Sequence, residues 1–250
     1  MAPSYRERFS DHLIAAKYDL AIYSKDSVSD AVWQLESAIL KEVVADMRQR
    51  KSRIDYLDFA CGTGRIISFL EDKVDKATGI DVSQFMLNRA ANKGKRARFL
   101  CRDITLADAA VEGQYDLITC FRFLKNAESD LRQSAMTQLA RRLRDAESRV
   151  VVNCHGGNPF SFKIVLVPYH WLKALLSGQG YPKYVTNGRL RKTIHKAGLH
   201  IEKSIGYGFI SGKLFNLLPL TWALWIERTL CGAPFIQALG ANQLFVCKLK

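Results

Sequence analysis

The segment LDFACGTGR, residues 57–65, joins a short apolar run to a stretch with helical spacing. Residues 56–60 are predicted to form a strand, and the apolar stripe of a helix begins at Ile66. Gly62 and Gly64 lie between these elements, where a side chain would hold a ligand away from the backbone. The free N–H groups at the start of the helix favour an anionic or polar ligand. The order strand, glycine turn, helix therefore predicts an α/β fold with a ligand site at the turn.

A second predicted strand, residues 77–80, ends on Asp81. A carboxylate at this position can accept hydrogen bonds from two ribose hydroxyls. A dinucleotide fingerprint would place a third glycine three residues after Gly64, but Ile67 stands there. The two features together predict a nucleoside site and weaken the pyrophosphate interpretation. The alternative is a plain tight turn at the two glycines.

The same segment resembles the first motif, Asp-x-Gly-x-Gly-x-Gly, of the class I S-adenosylmethionine-dependent methyltransferases. Asp58 takes the place of the acid, and Ala60 replaces the first glycine of the motif. Gly62 and Gly64 match the remaining two glycines. The resemblance implies S-adenosyl-L-methionine as the cofactor, with these four residues in contact with it.

A second point of resemblance follows Asp81. Asp81 and Val82, with Met86 shortly after them, are similar to the second motif of the family. In that motif the acid accepts from the ribose, and the first residues of the next helix flank the adenine. Ser83 is the predicted N-cap of this helix. A methionine at this spacing is also a common core residue, so Met86 carries little weight alone.

A third strand, residues 97–101, is followed closely by Asp103 and Ile104. An acid just past a strand lies at the edge where open α/β sheets bind ligands. The resemblance implies that Asp103 accepts from the adenine amino group and that the Ile104 N–H donates to the ring. The alternative is that Asp103 caps a turn or helix.

The fourth strand, residues 115–121, resembles the fourth motif of the family. Its end, with Cys120, Phe121 and Arg122, would pass beside the methionine part of the cofactor. The Asn/Asp-Pro-Pro-Tyr/Phe motif of amino-methylating enzymes belongs at this strand end and is absent from the sequence.

A fifth strand, residues 149–154, brings His155 to the same edge of the sheet. Methyl transfer is an in-line displacement, in which the protein aligns the acceptor and a hydroxyl acceptor benefits from a base. We therefore predict His155 as a general base; the alternative is a hydrogen-bonded structural histidine. His170 and His195 are weaker candidates, since the first lies in an aromatic run and the second in a predicted helix.

The N-terminal segment, residues 1–53, is predicted to be helical, with Ser29 or Asp30 as a cap for its main helix. Tyr23 precedes this helix, in a segment that often folds over the cofactor in the resembled family. We include Tyr23 among the predicted cofactor contacts. Its alternative role is that of an aromatic anchor for the helix.

The expected architecture is a single α/β domain, residues 1–250, with a Rossmann-like seven-stranded sheet and helices on both faces. The last strand, residues 243–249, is expected to be antiparallel and to lie between strands five and six, as the resemblance implies. Residues 54–158 form the predicted cofactor-binding core. Two insertions, residues 159–185 and 206–241, are predicted to form a helical cap for the substrate.

Charge is distributed unevenly along the chain. Residues 1–148 hold 24 Lys and Arg against 22 Asp and Glu, whereas residues 149–250 hold 13 against 2. A basic surplus indicates either a solvated surface or an anionic partner, namely an acceptor, a nucleic acid or an acidic membrane face. The second insertion could contact a membrane, act as a substrate lid or form a dimer face.

The cysteine pattern and the N-terminus bear on the compartment. Six widely spaced cysteines show no metal-binding spacing, so we predict reduced thiols and no metal site. No apolar run reaches membrane-spanning length, and the first ten residues lack the apolar core of a signal peptide. These features predict a cytoplasmic protein. The sequence leaves open whether it is a monomer or a homodimer.

The predicted function is methylation of oxygen or nitrogen on a small-molecule acceptor, including an anionic, sugar-linked or lipid-linked one. An RNA or DNA methyltransferase is a less favoured alternative, which predicts salt-dependent binding to nucleic acid. A catalytically silent scaffold protein with the cofactor fold is the third hypothesis, which predicts partner binding without turnover.

Overall fold

The computed structural model describes residues 28–106, 113–156, 158, 161, 185–210, 215, 217–233 and 235–250. The described strands and helices follow one another along the chain in the alternation expected of an α/β domain. In order they are α1 (Val28–Arg50), β1 (Asp55–Phe59), α2 (Arg65–Leu70), β2 (Lys76–Asp81), α3 (Gln84–Ala91), β3 (Arg98–Cys101), β4 (Leu117–Cys120), α4 (Phe123–Asn126), α5 (Ser129–Arg141), β5 (Arg149–Cys154), α6 (Asn187–Lys196), β6 (Leu199–Tyr207), α7 (Leu220–Cys231) and β7 (Asn242–Leu249).

The strands form one seven-stranded sheet in the order β3-β2-β1-β4-β5-β7-β6. Strands β1 to β5 are parallel to one another. Strand β7 lies between β5 and β6 and is antiparallel to both. The predicted fold class, including the position and direction of the last strand, is confirmed. The chain reverses its direction of winding between β1 and β4, where open α/β sheets bind ligands.

Helices cover both faces of the sheet because alternate strand residues point to opposite sides. On β1, Leu57 and Phe59 pack in a cluster with buried residues of α5 and α6. Tyr56, the residue before Leu57, packs in a second cluster with residues of α1 and α2. The central strands are buried on both faces, which accounts for their continuous apolar sequences.

Helix caps were predicted with mixed success. The Ser83 hydroxyl accepts from the Met86 N–H, as predicted for this N-cap. At the start of α6, the Thr186 hydroxyl accepts from the Arg189 N–H. The predicted cap of the first main helix is wrong, because α1 already begins at Val28. Ser29 and Asp30 therefore lie inside its first turn.

The second insertion, residues 206–241, contributes α7 and a short 3₁₀ turn, Gln237–Leu239, between β6 and β7. Pro219 precedes α7, and Ala223 and Leu224 on its inner side are buried. Most of the first insertion, residues 159–185, lies outside the described residues. Within the described part of the chain, no helix combines the length and apolarity needed to cross a membrane.

Gly64 allows α2 and α3 to approach closely. A Cβ at this position would lie 2.8 Å from the Ala90 Cβ, and φ of Gly64 is 83°. We expect Gly64→Ala to lower the free energy of unfolding by about 2–4 kcal/mol, since overpacking adds to left-handed strain. Gly188→Ala is the control, because a Cβ there meets no described atom within 4 Å. It should raise stability by about 0.5–1 kcal/mol in urea unfolding, and a Gly64→Ala protein as stable as the wild type would contradict the packing argument.

Candidate active site

The turn after β1 contains three residues in left-handed backbone conformations. The φ angles are 53° at Ala60, 54° at Gly62 and 83° at Gly64. Glycine adopts this conformation freely, whereas Ala60 is strained in it. A Cβ built on Gly62 meets no described heavy atom within 4 Å. Gly62 therefore leaves open space directly beside the backbone, as a ligand-binding turn requires.

Asp81, the last residue of β2, connects this turn to the start of α3. Its Oδ2 accepts a 2.8 Å hydrogen bond from the Gly62 N–H, and its Oδ1 accepts a 2.9 Å bond from the Ser83 N–H. Burial raises the pKa of the Asp81 carboxyl above its usual range, although these N–H groups act in the opposite direction. Asp81 thus fixes the position of the glycine turn.

A first cavity opens beside Asp81, at the carboxyl ends of β1 and β2. Asp103 contributes to its wall, and its Oδ1 accepts hydrogen bonds from the N–H and the hydroxyl of Thr105, at 2.9 and 2.5 Å. Met86 and Ile104 are buried and do not belong to the lining. The lining residues are Phe59, Ala60, Ile80, Asp81, Val82, Arg102, Asp103, Thr105, Phe123 and Leu131.

A second cavity shares Ala60 with the first and continues toward the end of β4. Phe121 and Arg122 line it, whereas Cys120 is buried within β4 and does not. Arg122 has a φ of 62°. The lining residues are Glu36, Asp58, Ala60, Cys61, Gly62, Thr63, Arg65, Ile66, Phe121 and Arg122.

Asp58 is the buried acid of this second cavity, with only 1% of its surface exposed. Its Oδ1 accepts a 2.6 Å hydrogen bond from the Thr119 hydroxyl. Its Oδ2 has no hydrogen-bond partner of ordinary geometry among the described residues, although the Ile67 N–H lies near enough to act on the carboxyl. Burial raises the pKa of Asp58 to about 7, despite the opposing effect of Thr119. A cationic ligand group beside Oδ2 would restore the charged form.

Because its pKa is raised, Asp58 is predicted to destabilise the folded protein more at high pH than at low pH. The pKa of the Asp58 carboxyl is 3.8 in the unfolded state and about 7 in the folded state. Between these two pH values the folded state keeps a proton that the unfolded state has lost, so stability falls as pH rises. Asp58→Asn keeps an acceptor for Thr119 but lacks this titration. Relative to the wild type, it should gain about 2–3 kcal/mol more at pH 8 than at pH 5 in urea unfolding.

The control for this experiment is Asp72→Asn, which changes an exposed acid at the end of α2. Its stability relative to the wild type should be the same at both pH values. An equal effect of Asp58→Asn at pH 5 and pH 8 would contradict the buried, proton-retaining carboxyl.

His155, just after β5, lies in a cluster with two buried polar side chains. Its Nε2 is 3.1 Å from Glu36 Oε1 and 2.9 Å from Asn153 Nδ2. The Asn153 Oδ1 accepts a 2.7 Å hydrogen bond from the Arg122 N–H, which fixes the amide so that Nδ2 donates to Glu36 at 2.8 Å. The Tyr207 hydroxyl also donates to Glu36, at 2.7 Å. The ring of His155 is therefore oriented from one side by a carboxylate.

Glu36 is anionic in this cluster although it is almost completely buried. Burial alone would raise the pKa of its carboxyl. The hydrogen bond and charge of His155, the charge of Arg122 and the hydrogen bond of Tyr207 outweigh that effect and lower the pKa to about 2. Such a carboxylate favours the tautomer of His155 with its proton on Nε2.

Glu36, Asn153 and Tyr207 were not predicted as site residues. A signal for Glu36 is present in the sequence, since it lies in the apolar stripe of α1, three residues before Ile39 and four before Leu40. An acid on a buried helix face needs a partner. The identity of that partner depends on the tertiary fold.

A third cavity is lined by both Arg122 and His155. Arg122 belongs to the linings of both the second and the third cavities. Lys125 gives the third cavity a second cationic side chain. Its lining residues are Val28, Ser29, Val32, Arg122, Lys125, Asn126 and His155.

The remaining predicted residues lie elsewhere. Tyr23 and His170 fall outside the described residues. His195 is exposed near the end of α6, which packs on the opposite face of the sheet from α1. Among the described residues, no group of His, Cys, Asp and Glu could hold a metal ion.

Comparison with known proteins gives both a sequence match and a fold match. A family model described as a methyltransferase domain matches residues 57–146. A ubiquinone biosynthesis O-methyltransferase of Nitrosospira multiformis is 21% identical over 170 residues, covering 66% of this chain and 70% of that protein.

Solved structures resemble the whole chain. Magnesium protoporphyrin IX methyltransferase of Synechocystis, with bound S-adenosylhomocysteine, has a TM-score of 0.63 at 16% identity, covering 98% of this chain and 97% of that one. An S-adenosylmethionine-dependent methyltransferase of Clostridium acetobutylicum has a TM-score of 0.59 at 16% identity, covering 95% and 98%. At these identities the likeness shows the fold.

The first and second cavities fit S-adenosyl-L-methionine. Gly62 leaves room for a ligand against the backbone, and the orphaned Oδ2 of Asp58 suits a cationic group. The matched methyltransferase domain contains both residues, and the sheet has the strand order expected for the family. Residues 57–146 match a methyltransferase-domain model, and the chain has the fold of the class I S-adenosylmethionine-dependent methyltransferases.

Proposed function

We propose that the protein methylates an oxygen or nitrogen of a small-molecule acceptor bound in the third cavity, with His155 as general base. The observation that carries this proposal is the position of Arg122, which lines both the second and the third cavities. An acceptor beside His155 would therefore adjoin the methionine end of the cofactor site. Adjoining sites are what an in-line displacement requires.

The cofactor assignment rests on the first and second cavities, which share Ala60. We assign Asp81 to the ribose hydroxyls, Asp103 to the adenine amino group and Asp58 to the ammonium of the methionine part. When bound, S-adenosyl-L-methionine supplies a methyl group activated by a sulfonium. Further proposed contacts are Ala60, Gly62, Gly64, Val82, Met86, Ile104, Cys120, Phe121 and Arg122, together with Tyr23 from the N-terminal segment.

The structure gives these further assignments unequal support. Val82 lines the first cavity, and Phe121 and Arg122 line the second. The side chains of Met86, Ile104 and Cys120 are buried outside the cavity linings, so any contact from them requires backbone atoms or a shift.

The proposed role of His155 rests on its hydrogen bonds. With Nε2–H directed to Glu36, the ring offers Nδ1 as the proton acceptor. The acceptor hydroxyl would lose its proton to Nδ1 as the new carbon–oxygen bond forms. Glu36 is placed to pair with the positive charge that the ring gains, and the Asn153 amide donates to Glu36 and holds the carboxylate in position.

The chemistry of the third cavity supports an acceptor with both apolar and anionic parts. Val28 and Val32 contribute apolar surface, whereas Arg122 and Lys125 contribute positive charge. The names of two similar proteins, a ubiquinone O-methyltransferase and a magnesium protoporphyrin methyltransferase, point to small organic acceptors. We therefore favour a small, partly apolar acceptor that carries an acidic group, including a lipid-linked one.

The test is methyl transfer from radiolabelled cofactor to a panel of acceptors. The panel includes hydroxylated benzoates with and without a prenyl tail, a porphyrin carboxylate, sugar acids and total RNA. We expect label in an organic-extractable small molecule, and loss of that label with His155→Gln. Label in RNA alone would support the nucleic-acid alternative, and turnover on no acceptor would support the scaffold hypothesis; either result would contradict the proposal.

A further inference from the structure

Helix α7 exposes two tryptophans on its outer side. Trp222 and Trp225, one helical turn apart, have 67% and 68% of their surface exposed. Arg228 follows on the same side, one further turn along, and is exposed. The opposite side is buried, with Ala223, Leu224 and Glu227 facing the protein. The solvent-exposed side of the helix therefore carries large aromatic residues, where polar residues are usual.

The segments that flank α7 also expose large apolar side chains. Leu217, just before the helix, is 79% exposed, and Phe235, shortly after it, is 94% exposed. Exposed apolar residues occur singly on most proteins, but a cluster of them within one short segment marks an interaction site. These four residues, Leu217, Trp222, Trp225 and Phe235, are called the α7 face below.

The C-terminal part of the sequence, which contains α7, is strongly basic. Residues 149–250 contain 13 Lys and Arg but only two acids, Glu202 and Glu227. Glu202 pairs with Arg149 and Lys248, at 2.5 and 3.3 Å. Glu227 is buried and accepts hydrogen bonds from backbone N–H groups of residues 208 and 210. Both carboxylates are engaged within the fold and do not oppose an anionic surface.

We propose that the α7 face docks the protein on the surface of an anionic lipid bilayer. Tryptophan is the side chain best suited to this position, because its ring is apolar and its N–H remains hydrogen-bonded at the headgroup level. Arginine beside it adds attraction to anionic headgroups. Helix α7 has 12 residues, or a length of about 18 Å, so it lies along the interface and does not span the bilayer.

Docking in this orientation would bring the third cavity close to the lipid. The inner residues Ala223 and Leu224 pack in one cluster with Ala31 of α1, and Val28 packs against that cluster. Val28 also lines the third cavity. A membrane-dissolved acceptor could then enter without crossing bulk water. The docking itself does not depend on the proposed acceptor, since it is measured by binding alone.

The experiment is flotation of the full chain with vesicles, in the absence of cofactor and acceptor. Vesicles of phosphatidylcholine alone are compared with vesicles of equal parts phosphatidylcholine and phosphatidylglycerol. We expect the protein to float with the anionic vesicles, with a blue shift of tryptophan fluorescence. Binding should weaken about tenfold or more in the variant with Trp222→Ser and Trp225→Ser. Arg228→Glu should weaken binding to the anionic vesicles selectively.

The matched control is Phe85→Ser, which removes a 51% exposed aromatic residue on α3, outside the α7 face. It should bind vesicles as the wild type does. Unchanged S-adenosylhomocysteine binding and circular dichroism in the double tryptophan variant would show that it is folded. Failure of the wild type to float, or equal flotation of the double variant, would overturn the proposal. A wild-type dimer that dissociates in the double variant and does not float would assign the α7 face to a second copy instead.

Discussion

Asp81→Ala is expected to weaken binding of S-adenosylhomocysteine by about a hundredfold or more. The carboxylate accepts from the N–H groups of Gly62 and Ser83, and it lines the first cavity. Its removal would release the glycine turn and delete the proposed acceptor for the ribose hydroxyls. Each charge-assisted hydrogen bond of this kind contributes about 1.5–3 kcal/mol, so two of them account for the expected loss. Isothermal titration calorimetry measures the change directly.

Asp72→Ala is the control for this experiment, because it removes an exposed acid nine residues before Asp81 without touching the cavity. Its affinity should equal that of the wild type. Asp81→Asn should give an intermediate affinity, because its amide keeps one accepting oxygen for the two N–H groups. An Asp81→Ala protein that is folded and binds within threefold of the wild type would refute the assignment of Asp81.

His155→Gln is expected to lower kcat by about 10²–10⁴-fold, the usual contribution of a general base. Glutamine retains a donor toward Glu36, so the buried carboxylate is not left without a partner. The affinity for S-adenosylhomocysteine should change by less than about threefold, because His155 lines the third cavity and not the first two. A loss of kcat at unchanged cofactor affinity separates the base from a cofactor contact.

His195→Gln is the matched control, since His195 is exposed near the end of α6 and belongs to none of the three cavities. Its kcat should remain at the wild-type value. A His155→Gln enzyme with the wild-type kcat would assign His155 to the structural role and remove the general base from the mechanism. A substrate that ionises unaided would then be the simpler explanation.

Local sequence predicts the individual strands and helices around the glycine turn, and the family resemblance supplies their arrangement in the sheet. The glycine turn, the acid at the end of β2 and the apolar strands are each determined within a few residues, because strand and helix periods appear directly in the sequence. The antiparallel last strand was confirmed, although it was inferred from the resemblance and not from its own pattern. The cap of α1 was missed, since Ser29 and Asp30 are equally acceptable within a first helical turn.

Long-range contacts could not be predicted in the same way. Glu36 meets Asn153 across 117 positions and Tyr207 across 171 positions of sequence. No local pattern links residues at that separation, and the acid would have needed the complete fold to find its partners. The left-handed backbone of Arg122 is a related case, because it depends on the Asn153 side chain that binds its N–H.

Burial determines the pKa of Asp58 and the exposure of the α7 side chains, neither of which can be inferred from composition. Asp58 was predicted from its motif, but its raised pKa follows from complete burial beside an unfilled acceptor position on Oδ2. Similarly, the apolar residues of the second insertion were consistent with a lid, a dimer face or a membrane contact. Only the fold shows that Trp222 and Trp225 point away from the protein while Ala223 and Leu224 point inward.

The central claim is that the first and second cavities, which share Ala60, bind S-adenosyl-L-methionine through the residues assigned above. Its most direct test is calorimetric titration of the wild-type protein with S-adenosylhomocysteine, and with NAD under identical conditions. We predict saturable binding of one S-adenosylhomocysteine per chain and no heat from NAD. Binding of NAD, or binding of S-adenosylhomocysteine that is unaffected by both Asp81→Ala and Asp58→Asn, would contradict the proposed site.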